Sequence, residues 1–253
     1  MKIISSKSNA LIVEIAKLKQ KKHRDAQNLF YVEGAKLLKE ALASGYCVRY
    51  VIYVDELPIS LSNGESEIIK VTREVYKKFT DEEGFEGVMC VLEKPGEREI
   101  KYDKPVIIID NVQNPGNVGG IIRTADAICR TDIILTGDCA DIYSSRTQRA
   151  AMGAIFRQNI KISRNIKIEL EILKENGYNI FATYLDNNAT SVENVGFGGR
   201  YAVIFGSEGA GLDADVVSLC DERIIIPINA GSESLNVAVA AGIILWEMGK
   251  HKT

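Results

Sequence analysis

The chain is poor in histidine and in paired cysteines. Its two histidines, His23 and His251, lie near opposite ends of the sequence, and its five cysteines include no CxxC pair. An odd number of unpaired cysteines argues against a disulfide framework and against a zinc site. Two distant histidines leave little for metal chemistry or nucleophilic catalysis based on histidine. We therefore expect no metal in this protein.

Long apolar segments are also lacking. No apolar run reaches the length that crosses a bilayer, and the segment after Met1 does not resemble a signal peptide. We therefore expect no membrane partner and a cytoplasmic location. The net charge of −3 shows that the chain is not basic as a whole, and the 46% of hydrophobic residues is enough to fill sizeable cores.

One charged stretch interrupts the apolar pattern between two halves of the chain. Residues 94–99 read Lys-Pro-Gly-Glu-Arg-Glu, a composition typical of a domain boundary. The sequence thus predicts a domain at residues 1–93, a linker at 94–104 and a second domain at 105–253.

The most informative segment runs from Asn114 to Arg123. It follows a short apolar run, Val106 to Asp110, of the kind found in strands buried on both faces of a parallel sheet. The segment contains three glycines, one proline and two asparagines, and it leads into a helical pattern. Open α/β sheets bind ligands at the carboxyl ends of their strands, so this loop is a candidate binding loop.

Arg123 falls outside the apolar stripe of the predicted helix. The stripe comprises Ile121, Ile122, Ala125, Ile128 and Cys129. Arg123 therefore stays near the helix N-terminus, where partial positive charge favours an anion. Taken alone, this pattern also fits a solvated arginine on an amphipathic helix.

Two later segments repeat the design. Residues 202–212 and 224–237 each begin as an apolar strand and break into a polar loop containing glycine. In a parallel sheet, the loops after all three strands would open at the same edge and wall one pocket.

The three segments, in this order, resemble the motifs of the SpoU/TrmH branch of the SPOUT methyltransferases. The matching residues are Asn117 and Arg123 in the first motif, Gly206, Glu208 and Gly211 in the second, and Pro227, Gly231, Glu233, Ser234, Leu235 and Asn236 in the third. A minor block, residues 149–156, also resembles the family, with Ala151 where serine is commoner. Three ordered motifs are far more specific than a single glycine motif.

The resemblance implies a function and a fold. It implies transfer of a methyl group from S-adenosylmethionine to a ribose 2′-hydroxyl of RNA, and a trefoil-knotted α/β domain that pairs as a homodimer near its last helix. Periodicity alone would predict an ordinary doubly wound sheet. The implied catalytic residues are Arg123, Asn117, Glu208, Ser234 and Asn236, and the implied cofactor-binding residues are Gly206, Ile226, Leu235, Ser234 and Thr183.

Several of these residues have a second interpretation. Asn117 and Ser234 are each candidates for the N-cap of the helix that follows. Glu208, in a short loop, is expected to pair with backbone donors or with an arginine. A guanidinium is effectively never deprotonated in proteins, so Arg123 is expected to orient the nucleotide and to stabilise charge on the attacking oxygen.

The first domain carries a weaker match. Residues 30–42 resemble the start of the small α/β substrate-binding domain, similar to ribosomal protein L30e, that precedes many catalytic domains of the family, with Glu33 and Gly34 as its marks. The alternative is an ordinary transition from strand to helix, with Leu37, Leu38, Ala41 and Leu42 buried.

Basic residues in three regions are candidate RNA contacts. The first 24 residues contain seven cations, and an RNA-binding surface there competes with a solvated helix face over residues 10–27. Those seven are Lys2, Lys7, Lys17, Lys19, Lys21, Lys22 and Arg24. Lys36 and Lys39 follow, and Arg146, Arg149 and Arg157 lie beside the motifs.

The residues leave other functions open. Ribosomal RNA is the favoured substrate by analogy, and transfer RNA is the alternative. A non-catalytic RNA-binding or ribosome-assembly protein with this fold is a second class, although every motif side chain is retained. A dehydrogenase-like nucleotide binder lacks a GxGxxG loop and an acidic residue after the next strand, Thr131 to Leu135.

Overall fold

The computed structural model describes residues 3–57, 66–80, 86–129, 131–186, 188–229, 231 and 233–250. The chain divides into two compact units. The first contains residues 1–96 together with Tyr143–Arg149, and the second contains Glu97–Ile142 and residues 150–253. Within the described residues, no helix is both long and apolar enough to cross a membrane.

The first unit is a small α/β structure. Its strands are β1 (Ile3–Ile4), β2 (Leu29–Glu33), β3 (Val48–Tyr53), β4 (Glu67–Val71) and β5 (Val88–Glu93). Its helices include α1 (Ala10–Lys17), α2 (Lys21–Gln27), α3 (Ala35–Ala43) and α4 (Arg73–Tyr76). The strands form one mixed sheet in the order β1-β4-β3-β5-β2, in which β5 runs antiparallel to both neighbours.

The predicted helix face over residues 10–27 is divided between two helices. Asn9 caps α1 by accepting hydrogen bonds from Leu11 and Ile12, and the chain turns at residues 18–20 before α2 begins. Arg24 is buried, and its guanidinium donates to the carbonyl oxygens of Leu18 at 2.7 Å and Lys19 at 2.8 Å. The inclusion of Arg24 in a basic surface is therefore wrong, because its guanidinium is hydrogen-bonded to the carbonyl oxygens that follow the end of α1.

The strand and helix predicted within residues 30–42 are present as β2 and α3. Leu38 and Ala41 are fully buried, and Leu37 is partly buried. Leu42 is 40% exposed, so its assignment to the buried stripe is wrong. Gly34 joins the two elements with φ +98°, a conformation that side chains with a Cβ rarely adopt.

The second unit is a parallel α/β structure. Its strands are β6 (Val106–Asp110), β7 (Asp132–Thr136), β8 (Ile160–Ile162), β9 (Asn179–Thr183), β10 (Thr190–Ser191), β11 (Tyr201–Phe205) and β12 (Glu222–Ile225). Its helices include α5 (Pro115–Ile128), α7 (Ala154–Arg157), α8 (Ile166–Glu175), α9 (Ala214–Ser218) and α10 (Val237–Lys250). Helix α6 (Ser145–Ala151) lies mostly in the segment that clusters with the first unit.

All strand pairs of this second sheet are parallel. The order is β10-β12-β9-β11-β6-β7-β8, so the strands that precede the three motif loops, β6, β11 and β12, point in the same direction. The prediction that these loops open at one edge is confirmed. Strand β9 lies between β12 and β11 and adds its own end, Thr183, to that edge.

The centre of the sheet is dry. All of β6 is buried, and Ile107, Ile108 and Ile109 are fully inaccessible to solvent. Burying each such side chain stabilises the fold by about 1.5–3 kcal/mol. The strands therefore provide a rigid base for the loops that follow them.

Most of the predicted linker at residues 94–104, from Glu97 onward, clusters with the second unit. Ile100 is 4% exposed and packs into the core of that unit. Arg98 donates to the carbonyl oxygen of Gln158 at 2.6 Å, and the Asn159 amide donates to that of Glu99 at 3.0 Å. The charged composition that suggested a linker reflects an exposed surface around one buried isoleucine.

Candidate active site

The first motif loop ends in a capped helix. The Asn114 side chain accepts hydrogen bonds from the backbone N–H groups of Gly116 at 2.8 Å and Asn117 at 3.4 Å, and Pro115 occupies the first turn of α5. This is a common N-terminal arrangement, because proline needs no donor there and its φ suits the helix. Asn114 is therefore the N-cap, and the interpretation of Asn117 as the cap is wrong.

The second motif loop folds back on itself. Ser207 and Gly211 exchange backbone hydrogen bonds of 3.1 Å in both directions, and Gly211 has φ +67°. A Cβ on Gly206 would lie 2.4 Å from the carbonyl carbon of Gly211 and 2.7 Å from the backbone nitrogen of Leu212. Gly206 is therefore required for loop closure, and Glu208 is exposed within the closed loop.

The third motif loop ends at α10. The Asn236 side chain accepts hydrogen bonds from the backbone N–H groups of Ala238 at 3.0 Å and Val239 at 3.3 Å. Asn236 thus caps α10, and Ser234, which was a candidate for this cap, does not. Ser234 lies in the loop before the helix.

Three motif side chains from the three loops join in one hydrogen-bonded chain. The amide of Asn236 donates to the side-chain oxygen of Asn117 at 3.1 Å, and the amide of Asn117 donates to Oε1 of Glu208 at 2.7 Å. Asn117 thus links the first motif loop to both of the others. Glu208 accepts from this asparagine side chain, so the expected pairing with backbone donors or an arginine is not the one observed.

Close packing of α5 against α10 sets this geometry. A Cβ on Gly120 would lie 3.5 Å from Cβ of Ala238, and a Cβ on Gly249 would lie 3.0 Å from Cγ2 of Ile128. The Cys129 thiol donates to the carbonyl oxygen of Leu245 at 2.9 Å. Small residues let the two backbones approach, which brings the start of each helix beside the other.

Arg123 stands apart from this chain of hydrogen bonds. It is exposed on α5, outside the buried stripe, as predicted, and no hydrogen bond or ion pair of its guanidinium is found within the described residues. It is also absent from the lining of the cavity described next. Its five donors are therefore directed to solvent on the surface of α5.

A cavity of about 550 Å³ opens among the motif loops. Its size falls in the range of small-molecule sites, about 300–1,000 Å³. The structure brings all five residues implied to bind the cofactor to its wall: Thr183, Gly206, Ile226, Ser234 and Leu235. The wall also includes Glu208 from the hydrogen-bonded chain.

Thr183 reaches the cavity from β9. Its hydroxyl donates to the carbonyl oxygen of Ile204 at 2.8 Å, so the hydroxyl proton is committed to the neighbouring strand. The lone pairs of its oxygen remain available to accept a hydrogen bond from a ligand.

Sequence reasoning left several wall residues out of the predicted site, among them Tyr184, Leu185 and Glu233. Tyr184 and Leu185 continue from β9, and Leu185 is 61% exposed. Glu233 was recognised as a motif residue without a role, and it also lines the cavity. The position of Tyr184 and Leu185, directly after a parallel strand, is the signal that would have identified them.

A buried carboxylate lies at the end of β6, just before the first motif loop. Asp110, 4% exposed, accepts hydrogen bonds from the Thr136 hydroxyl at 2.6 Å and from the Asn111 amide at 3.0 Å. Nearby, Cys139 donates to the carbonyl oxygen of Ile109, and burial raises the pKa of this thiol to about 11. This cysteine therefore stays protonated near neutral pH and is a poor nucleophile.

Arg157, predicted as a phosphate contact, is engaged within the protein. Its Nε and one terminal nitrogen donate to the same carboxylate oxygen of Asp126, at 3.0 and 2.6 Å. Within the described residues, no group of three or more His, Cys, Asp or Glu side chains is arranged to hold a metal ion.

Comparison with protein families places both units. Residues 104–246 match the model of the SpoU rRNA Methylase family, and residues 9–90 match that of the MRM3-like substrate binding domain.

Relatives match over almost the full chain. The 23S rRNA (guanosine(2553)-2′-O)-methyltransferase RlmP of Bacillus subtilis is 34% identical over 98% of this chain and 99% of its own length. A crystal structure of an AdoMet-bound rRNA methyltransferase from Sinorhizobium meliloti superposes with a TM-score of 0.88 at 28% identity, over 99% of this chain and 98% of that one. The SpoU methyltransferase AviRb from Streptomyces viridochromogenes, in complex with AdoMet, superposes with a TM-score of 0.85 at 25% identity, over 96% and 97%.

The family match, the aligned relatives and the motif geometry agree. The chain belongs to the SpoU rRNA methylase family, and the predicted class of enzyme, an RNA 2′-O-methyltransferase dependent on S-adenosylmethionine, is confirmed.

Proposed function

We propose that this protein methylates a ribose 2′-hydroxyl of ribosomal RNA. The observation that carries the proposal is the hydrogen-bonded chain Asn236–Asn117–Glu208, which reaches through Glu208 the wall of a cavity large enough for the cofactor. The choice of ribosomal RNA is supported by the RlmP relative, which is aligned over nearly the whole of both chains. A match to a substrate-binding domain at residues 9–90 supports a reader of structured RNA in the same chain.

The cavity suits S-adenosylmethionine in size and lining. Gly206, Ile226 and Leu235 line the cavity and would hold the adenosyl group through backbone atoms, as the family resemblance implies, and Thr183 and Ser234 would offer hydroxyl oxygens. Leu235, Phe205 and Ile244 add apolar surface to the lining of the cavity. S-adenosylmethionine supplies an electrophilic methyl group on a positively charged sulfur when it is bound.

Arg123 acts on the RNA side of the site. Its exposed guanidinium would hold a phosphate next to the target ribose through two parallel hydrogen bonds and so position the 2′-hydroxyl for methyl transfer. It would also stabilise negative charge on that oxygen as the methyl group passes from sulfur to oxygen and the hydroxyl proton passes to water. It remains protonated throughout, so it is not the proton acceptor.

Asn117, Glu208 and Asn236 keep the two halves of the site in register. The chain of hydrogen bonds ties the start of α5 to the loops that surround the cavity. Arg123 lies further along the same helix. Placement matters because small errors in the geometry of the reacting atoms reduce the rate strongly.

The homodimer is a further part of the proposal. Val239, Ile243 and Trp246 are 52%, 37% and 60% exposed on one face of α10, and Leu235 before the helix is 37% exposed. A second copy of this chain is the occupant that we propose for this apolar face, because the family resemblance implies pairing near the last helix.

The proposed location is the cytoplasm.

The reaction is tested by nucleoside mass spectrometry. Ribosomal and transfer RNA transcripts, unmodified, are incubated with the protein and isotopically labelled S-adenosylmethionine. We expect a labelled 2′-O-methylnucleoside in ribosomal RNA with the wild-type protein and none with Arg123→Ala, while binding of S-adenosylmethionine changes less than about twofold, because Arg123 lies outside the cavity. Label in transfer RNA alone would reverse the choice of substrate. Absence of label in every RNA, with cofactor binding intact, would support the non-catalytic alternative.

The role of the first unit is tested by charge reversal. Lys22, Lys36 and Lys39 are exposed. Replacing all three by glutamate should weaken binding of ribosomal RNA by tenfold or more and lower the dependence of affinity on salt, because each phosphate contact contributes to that slope. Lys101→Glu, an exposed lysine of the second unit, is the matched control. Equal effects of the two variants would remove the first unit as the RNA reader.

A further inference from the structure

The cavity has charge of one sign only. Among the described residues that line it, the charged side chains are the carboxylates of Glu208 and Glu233, and no lysine or arginine is present. Glu208 already accepts a hydrogen bond from Asn117. Within the described part of the chain, no hydrogen bond or ion pair to Glu233 is found.

S-adenosylmethionine and its product differ by one positive charge. The cofactor carries a sulfonium, an ammonium and a carboxylate, so its net charge is positive. After methyl transfer the sulfur is a neutral thioether, and the net charge is zero. A wall with only negative charge therefore interacts differently with the two molecules.

We propose that Glu233 is a specificity residue that makes the cavity prefer the methylated, cationic cofactor over its demethylated product. This inference rests on the proposed function, because it needs S-adenosylmethionine as the ligand. The Glu233 carboxylate gains attraction to the sulfonium when the cofactor enters, and that attraction is lost when the methyl group leaves. Glu233 thereby promotes exchange of product for fresh cofactor.

The expected magnitude follows from Coulomb attraction. A unit charge pair about 4 Å apart is worth about 1 kcal/mol even at the dielectric constant of water, which corresponds to a change in affinity of about fivefold. Attraction of this kind weakens as salt is added, because Glu233 is exposed.

Calorimetry with three ligands tests the inference. The ligands are S-adenosylmethionine, S-adenosylhomocysteine and sinefungin, in which a protonated amine replaces the sulfonium. For Glu233→Gln, we expect the affinities for S-adenosylmethionine and sinefungin to fall about fivefold relative to the affinity for S-adenosylhomocysteine. Glu175→Gln, an exposed carboxylate on α8 outside the cavity lining, is the matched control and should leave all three affinities unchanged.

The outcomes distinguish failure of the cofactor assignment from failure of the role proposed for Glu233. If the wild-type protein binds none of the three ligands, the cofactor assignment fails. If it binds S-adenosylmethionine but Glu233→Gln lowers all three affinities equally, Glu233 has only a structural role and this inference is overturned. The inference is supported if the affinity for S-adenosylmethionine relative to S-adenosylhomocysteine is lower in Glu233→Gln than in the wild type. In the wild type, the same ratio should also fall as salt is added.

Discussion

At the scale of single residues, two glycines of the second motif loop differ in what they do. Gly206 has no room for a Cβ, because the backbone of Gly211 and Leu212 lies against it. Gly209, in the same loop, has nothing within 4 Å of the position of a Cβ. Both residues line the cavity, so composition alone does not separate the structural glycine from the tolerant one.

Gly206→Ala should therefore destabilise the protein by about 1–3 kcal/mol, because the loop backbone must move to admit one methyl group. Gly209→Ala is the matched control and should change stability by less than about 0.5 kcal/mol. Urea unfolding, followed by circular dichroism, measures the two free energies, and titration with S-adenosylmethionine should show weaker binding for Gly206→Ala only. Equal stabilities of the two variants would contradict the packing argument.

At the scale of helices and strands, the sequence predicted what local pattern determines. The unbroken apolar run Val106–Asp110 predicted β6 correctly, because a strand buried on both faces needs no alternation. Asn117 and Ser234 were candidates for the caps of α5 and α10, and the structure gives these roles to Asn114 and Asn236. Each candidate has a side chain suited to capping, so only the path of the loop decides among them. That path depends on contacts between loops about 90 or more residues apart in sequence, which periodicity does not contain.

The link between the loops predicts non-additive effects. Asn117→Ala and Glu208→Ala should each weaken binding of S-adenosylmethionine, and their effects should fail to add by about 1 kcal/mol, because either change removes one partner of the same hydrogen bond. The control cycle combines Asn117→Ala with Glu175→Gln and should be additive within about 0.5 kcal/mol. Isothermal titration of the four proteins in each cycle measures the coupling. Additivity in both cycles would show that the bond does not shape the cavity.

At the scale of the whole molecule, the family resemblance carried what periodicity did not. Composition suggested the two-unit organisation. It did not indicate that the segment Tyr143–Arg149 clusters with the first unit. The parallel sheet follows from the apolar strands. The knot remains a prediction of the resemblance, since no pattern of apolar residues specifies the threading of a chain.

The proposed homodimer gives a prediction at this scale. Val239→Glu should convert the protein from a dimer to a monomer of 27.9 kDa, because it places a charge in the apolar face of α10. Ile162→Glu, which changes a residue of similar exposure (61%) on β8, is the control and should leave the dimer intact. Light scattering after gel filtration measures the mass. A wild-type protein that runs as a monomer at all concentrations would end the dimer proposal.

Trp246 is the sole tryptophan of the chain, and it is 60% exposed on the face of α10 proposed to be covered. Its intrinsic fluorescence therefore comes from one known place on the molecule, with no other indole to obscure it. Indole emission moves to shorter wavelengths when water leaves its surroundings, so dilution of the protein should shift the emission to the red as copies separate. The protein thus carries its own optical reporter of self-association, usable without a label and in the presence of RNA.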